Sequence, residues 1–237
     1  MSPKGPSRSR LGTVSAAAPR KSSPDPMRVG FLIDGFNLYH SLDEASAVLA
    51  PRGAKWLDLR AFCTSFLPLL GARATLGPIH YFSALAKHIE AWKPDVTLRH
   101  AAYIRCLEES GVVVELGQFK EKWITCPHCS REITRHEEKE TDVAIGVRLV
   151  ELFCKDRCNA AVLVTADSDL SPAIRTANVM FPKNPIYAVI PYGRGSFDLE
   201  ALATGHFKAK KERYAKHQFP DPFDCADGTK IAKPPSW

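Results

Sequence analysis

The chain has 237 residues, 45% hydrophobic and 24% charged, which is enough for one sizeable core and ordinary for a globular protein. Its formal charge is +6, but within residues 1–27 Lys4, Arg8, Arg10, Arg20 and Lys21 outweigh Asp25, so the body is near neutral and any nucleic-acid footprint must be local. No apolar run approaches the ~20 residues of a membrane span, and the seven irregularly spaced cysteines do not read as a disulfide framework, which favours a reducing, cytoplasmic setting.

Residues 1–27 are rich in Pro, Ser, Ala and Arg and read as a disordered basic tail, without the apolar segment of a secretory signal. A buried strand is expected over Val29 to Ile33, cut off by Asp34-Gly35, with Asn37 in the first helical turn that follows. Leu59, Phe62, Phe66 and Leu69 predict a helix over 58–70, followed by a strand at Ile79 to Phe82 and a helix over 95–109 after Pro94. A third strand, Val112 to Leu116, leads into an insertion at 118–137 that contains two cysteines. The helix over about 139–155 is expected to present Val143, Val147 and Val150 as one apolar stripe, with Gly146, Leu149 and Phe153 beside it. Strands at Ala161 to Val164 and Ile186 to Ile190 alternate with short helices at 170–180 and 196–203. The basic run HFKAKKERYAKH, 206–217, reads either as a solvated helix face or as a nucleic-acid patch presenting Lys208, Lys210 and Lys211. Residues 218–237, with four prolines, read as an extended C-terminal tail. Strand and helix alternating in this way predict a single α/β domain over 28–217 with a mostly parallel sheet.

In such a sheet every strand ends at one edge, where the next helix begins. Asp34 follows the first strand, Asp167 follows VLVT at 162–165, Asp169 opens the next helix, and Asp142 lies in the first turn of the long helix. Each alone is explained as a cap or turn residue. Together, four carboxylates from three segments would repel one another unless a cation intervenes. A hard divalent ion with oxygen ligands suits phosphodiester hydrolysis, because it binds a phosphate oxygen and activates water.

The segments IDGFN (33–37), EKETDVAIGV (138–147) and VTADSDLSPAI (164–174), with IYAVIPYG (186–193) and HQFPD near the C-terminus, resemble the NYN family of PIN-like ribonucleases over 28 to about 237. The resemblance implies a three-layer PIN-like (Rossmannoid) fold and an endoribonuclease that uses Mg²⁺ or Mn²⁺ held by Asp34, Asp142, Asp167 and Asp169. It further implies that Asn37 orients a ligand, that Thr165 and Ser168 support the acidic loop by hydrogen bonds, and that products carry 5′-phosphate and 3′-hydroxyl ends. Lys139 would face the scissile phosphate or pair with a neighbouring Glu. Helices of this family often carry a further Asp two turns on; here that region reads Gly146-Val147-Arg148, which leaves a second metal position open.

In the insertion, Cys126-Pro-His-Cys129 has the spacing of half a zinc site, and His136 follows. Two readings stand: a Zn²⁺ at Cys126, Cys129 and His136 completed by water or another chain, or a metal-free hairpin with free thiols, which the incomplete ligand set favours. Lys120, Lys122, Trp123, Arg131 and Arg135 make the same loop a candidate RNA-guiding flap, since single strands are held by stacking and positive charge. Trp123 would equally serve as a small core of the hairpin. The leading function is therefore a ribonuclease acting on single-stranded or structured RNA, without membrane contact and with a homodimer open. One competitor is an RNA-binding module of the same fold that does not cut. Another is a metal-dependent phosphatase, which would want an Asp where Phe36 stands.

Overall fold

The computed structural model describes residues 26–50 and 53–237. All but the last two residues of the proposed basic tail, and with them its five cations, lie outside the described residues. The chain runs β1 (Met27–Asp34), α1 (Gly35–Leu49), α2 (Leu59–Thr64), α3 (Leu67–Leu70), β2 (Ala74–Ala84), α4 (Val96–Glu109), β3 (Val113–Thr125), β4 (Glu132–Lys139) and α5 (Thr141–Cys154). It continues through β5 (Ala160–Val164), α6 (Ser171–Met180), β6 (Ile186–Ile190), α7 (Phe197–Leu202), β7 (Gly205–Lys208), α8 (Lys211–Lys216) and a small pair, β8 (Phe223–Asp224) and β9 (Lys230–Ile231). Among the described residues no helix is long and apolar enough to cross a membrane.

Seven strands form one sheet in the order β4-β3-β2-β1-β5-β6-β7, parallel except for the β3–β4 pair. Alternation along β1 decides the layers. Phe31 and Ile33 point into a core closed by α1, α2, α4 and Tyr214 of α8, whereas Leu32 joins Ile145, Leu149, Ile174 and Leu199 of α5, α6 and α7 on the other face. The result is the expected three-layer α/β arrangement. From β1 the chain winds outward to β2, β3 and β4, then returns through α5 to β5 on β1's other side. The β1/β5 boundary is therefore the topological switch point, where a crevice opens beyond the strands' carboxyl ends.

Several elements differ from their sequence expectation for identifiable reasons. Residues 58–70 break into two short helices, with Pro68 in the first turn of the second and Leu69 53% exposed. Along α5 the buried side is Ile145, Leu149, Leu152 and Phe153, while Val143 and Val147 are 70% and 62% exposed. The longer side chains claim the sheet contact, and Gly146 lets α6 approach closely: a Cβ there would lie 3.0 Å from Ala173 Cβ. β3 does not stop at Leu116 but continues to Thr125, because the polar insertion pairs in register with β4 from Gln118–Lys139 to Thr125–Glu132. In the basic run, Tyr214 is fully buried and exchanges a 2.9 Å hydrogen bond with Ser41, which anchors α8 to α1. Phe219 and Trp237 from the last residues pack against Trp56 and Tyr103.

Candidate metal centre

The Asp34-Gly35 pair is not a surface turn. Asp34 is buried at the end of β1 and caps α1, its Oδ1 accepting from the Asn37 backbone N–H at 2.9 Å. Thr165 Oγ1, at the end of β5, donates to Asp34 Oδ2 at 2.8 Å. Gly35 is required by crowding: a Cβ would meet the Phe82 carbonyl oxygen at 2.4 Å and the Tyr81 ring at 2.7 Å. Asn37 looks back across the switch point, where its Oδ1 accepts from Ala166 N at 3.2 Å. Thr165 Oγ1 also accepts from Asp167 N at 3.0 Å, and Asp167 Oδ1 accepts from Asp169 N at 2.9 Å. Two loops are thus tied together around one carboxylate.

Asp142 arrives from the opposite direction, in the first turn of α5. Just before it, Glu140 takes a left-handed backbone (φ 78°), a conformation costing a non-glycine residue roughly 1–2 kcal/mol. One carboxylate oxygen each from Asp34, Asp142 and Asp167 fall within 4.8 Å of one another. The electrostatics match this crowding. Burial raises the Asp142 carboxyl to about 6, with the charges of Asp167, Asp34 and Asp169 adding to it. Asp34 is also raised, by burial, although the hydrogen bonds from Asn37 and Thr165 pull the other way. Three oxygen donors with no cationic partner in the group are the donor chemistry a hard divalent ion requires, so the residues present fit Mg²⁺ or Mn²⁺.

Asp169 stands outside this three-oxygen group. It is exposed beside the 3-10 turn Ser168–Leu170 and acts on the site through its charge on Asp142. Ser168 is exposed too, and its hydroxyl has no partner among the described residues, so the support expected of Thr165 and Ser168 is seen for Thr165 alone. Glu138, on β4, was not singled out from sequence. It is partly buried, accepts from Thr141 Oγ1 at 2.7 Å, and is raised by burial with the charges of Asp34 and Asp142 contributing. Its position within EKETD was the available signal; which face of β4 turns inward was not readable from a strand whose one apolar residue, Ile133, is itself exposed.

Lys139 pairs with Glu137 at 2.8 Å, the ion-pair alternative, and Lys122 joins the same carboxylate at 3.0 Å. Lys120 pairs with Glu140 at 3.1 Å, Arg135 is exposed, and Trp123 is 65% exposed, so Trp123 is no hairpin core. The Cys126–Cys129 turn closes the ribbon at its tip, with Ser130 N donating to Cys126 O at 2.9 Å. His136 is not near it. It lies opposite Glu121, four rungs below the terminal Thr125–Glu132 pair, and stacks on His88 at 4.3 Å. The structure therefore does not assemble Cys126, Cys129 and His136 into one zinc site, because strand register holds the histidine well down the ribbon; among the described residues no third His, Cys or acid joins the two thiols. Lys208, Lys210 and Lys211 sit at the end of β7 and the start of α8, along the sheet's other margin, and Lys208 reaches Glu200 at 3.5 Å.

A family model described as "NYN domain" matches residues 28–188. Among solved structures, the chain is similar to the crystal structure of a protein of unknown function, VPA0982, from Vibrio parahaemolyticus RIMD 2210633. That likeness has 17% identity and a TM-score of 0.51, covers 80% of this chain and 96% of that one, and speaks to the fold alone. No curated protein matches the chain.

Proposed function

Given that the chain belongs to the NYN domain family of PIN-like ribonucleases, we propose that it is a metal-dependent endoribonuclease hydrolysing RNA phosphodiester bonds at the β1/β5 switch point. The observation that carries this reading is the meeting of Asp34, Asp142 and Asp167 oxygens within 4.8 Å, from three separate segments. Such an arrangement repels itself and is retained at a cost, which a role in stability alone does not explain.

Asp34, Asp142 and Asp167 would hold Mg²⁺ or Mn²⁺, which when bound supplies positive charge to a phosphate oxygen and to the attacking water. The protein's own part is positioning. Thr165 and the α1 N-terminus fix Asp34 in one orientation, Asn37 ties the β1 and β5 loops together, and Asp169 and Glu138 extend the acidic rim. Lys120, Lys122, Trp123 and Arg135 on the ribbon, and Lys208, Lys210 and Lys211 at the far margin, are assigned to the RNA backbone and bases.

The test is incubation of purified protein with labelled RNA, with DNA and with a small phosphomonoester, with Mg²⁺ or Mn²⁺ and with chelator. Cleavage of RNA that needs the ion and disappears in Asp142→Asn is the expected result. RNA binding without cleavage would identify the non-cutting module instead, and turnover of the monoester alone would identify a phosphatase.

A further inference from the structure

A cleft with a volume of 360 Å³ begins at Gly35, the residue after Asp34, and runs along α1 beneath β2 and α4. Its volume lies within the roughly 300–1,000 Å³ of small-molecule sites. Aromatic and imidazole rings dominate its walls, among them Phe36, Tyr39, Tyr81, His88, Phe119 and His136. Phe36 and Tyr39 are exposed large hydrophobics on the first turns of α1, at 48% and 41%. His88 and His136 lie in parallel at 4.3 Å, and the Phe119 ring, tilted by 57°, lies 4.6 Å from His88, so this end is a cluster of three mutually packed rings.

Polar chemistry in the cleft is incomplete in a specific way. Four buried side-chain nitrogen or oxygen atoms lack a hydrogen-bond partner among the described residues, and two of them, His88 Nδ1 and Arg99 Nε, belong to residues lining this one cleft. Burial lowers His88, with the charge of His136 adding to it, and burial lowers His100 in the same cleft to about 4, so the His100 ring is neutral at pH 7 and offers one donor and one acceptor. Lys93 lies on the exposed side with no ion pair among the described residues. A flat π-system carrying both donors and acceptors, next to a phosphate, meets all of these requirements; an aliphatic or purely anionic ligand does not.

We propose that this cleft receives an unstacked base of single-stranded RNA flanking the scissile phosphate, packed against the ring cluster of His88, His136 and Phe119, with Arg99 Nε at the base edge. This deepens the ribonuclease reading and rests on it for the identity of the strand. It predicts that the site discriminates single strands from duplexes, because a paired base cannot enter without paying its unstacking energy.

The test measures binding rather than cleavage. The full chain in EDTA is titrated with a single-stranded RNA hexanucleotide containing 2-aminopurine, whose fluorescence reports stacking against a ring. Saturable quenching is expected, weakened about 10-fold by Phe119→Ala and by His88→Ala, as loss of one stacked base implies. Ala86→Trp, which fills the cleft from β2's end, should abolish the quenching while thermal melting stays cooperative. If Ala86→Trp does not fold, the two alanine variants decide alone. Binding of equal strength in all folded variants, or equal binding of the annealed duplex, overturns the proposal. Because no metal or turnover is needed, an inactive protein that still quenches leaves the cleft standing and removes the ribonuclease reading. An active one whose cleft variants bind normally does the reverse.

Discussion

The acidic edge and the β3–β4 ribbon are both densely charged, and they handle charge in opposite ways. On the ribbon, exposed lysines meet carboxylates: Lys122 and Lys139 share the partly buried Glu137, and Lys120 pairs with the exposed Glu140. Both glutamates are held below their ordinary range by those lysines. At the edge of the sheet, like charges are gathered in a partly buried place and their protons are held more tightly. Paired charge on a surface is what solubility and register produce unaided. Unpaired like charge, fixed by hydrogen bonds from Thr165 and Asn37, needs an outside partner, and this contrast locates the site better than any count of acids.

The largest effect expected from breaking the contrast is on turnover. Asp34→Asn and Asp142→Asn should each lower metal-dependent RNA cleavage by roughly 10²–10³-fold or more, as removal of a group that acts on developing charge does, measured with labelled RNA under single-turnover conditions. A next effect lies in packing beneath the acids. Gly35→Ala forces a Cβ into the Phe82 carbonyl, at 2.4 Å, and should cost about 3 kcal/mol of stability, the upper end for overpacking, by urea denaturation.

A third effect has the opposite sign. Asp142 has a folded pKa of about 6, above its ordinary value of 3.8, so its charge destabilises the metal-free fold. That penalty is absent below the unfolded value, grows as pH rises from about 4 to 6, and is complete above it. In EDTA at pH 7.5, Asp142→Asn should therefore be more stable than the parent by about 1 kcal/mol, discounted for the partial exposure of the group, with the gain vanishing below pH 4. The smallest effect belongs to the ribbon. Lys122→Ala should change stability by less than ~1 kcal/mol, because the lysine it removes is exposed, and should show itself as weaker, salt-sensitive RNA binding in a filter assay.

Much of this edge was legible in the sequence because parallel strands buried on both faces write themselves as short apolar runs. Phe31-Leu32-Ile33 and Val162-Leu163-Val164 mark β1 and β5, and the acids that follow them must emerge at one edge. What stayed hidden depended on facing. Valines and larger aliphatics both recur at helical spacing along α5, so periodicity did not separate the exposed Val143 and Val147 from the buried Ile145 and Leu149. On β4 both Glu137 and Glu138 are partly buried, and only tertiary context shows that Glu138 turns to Thr141 while Glu137 faces the lysines. His136 was legible as a histidine near two cysteines and not as one held four rungs away by strand register.

The most direct test is a titration of Mn²⁺ into the metal-free chain, followed by electron paramagnetic resonance of the free ion, for the parent, Asp34→Asn and Asp142→Asn. Saturable binding of about one ion per chain, lost or weakened at least roughly 10-fold in both variants, is the expected result. No saturable binding, or binding that is equal in all three proteins, would contradict the assignment of the acidic edge as a metal centre.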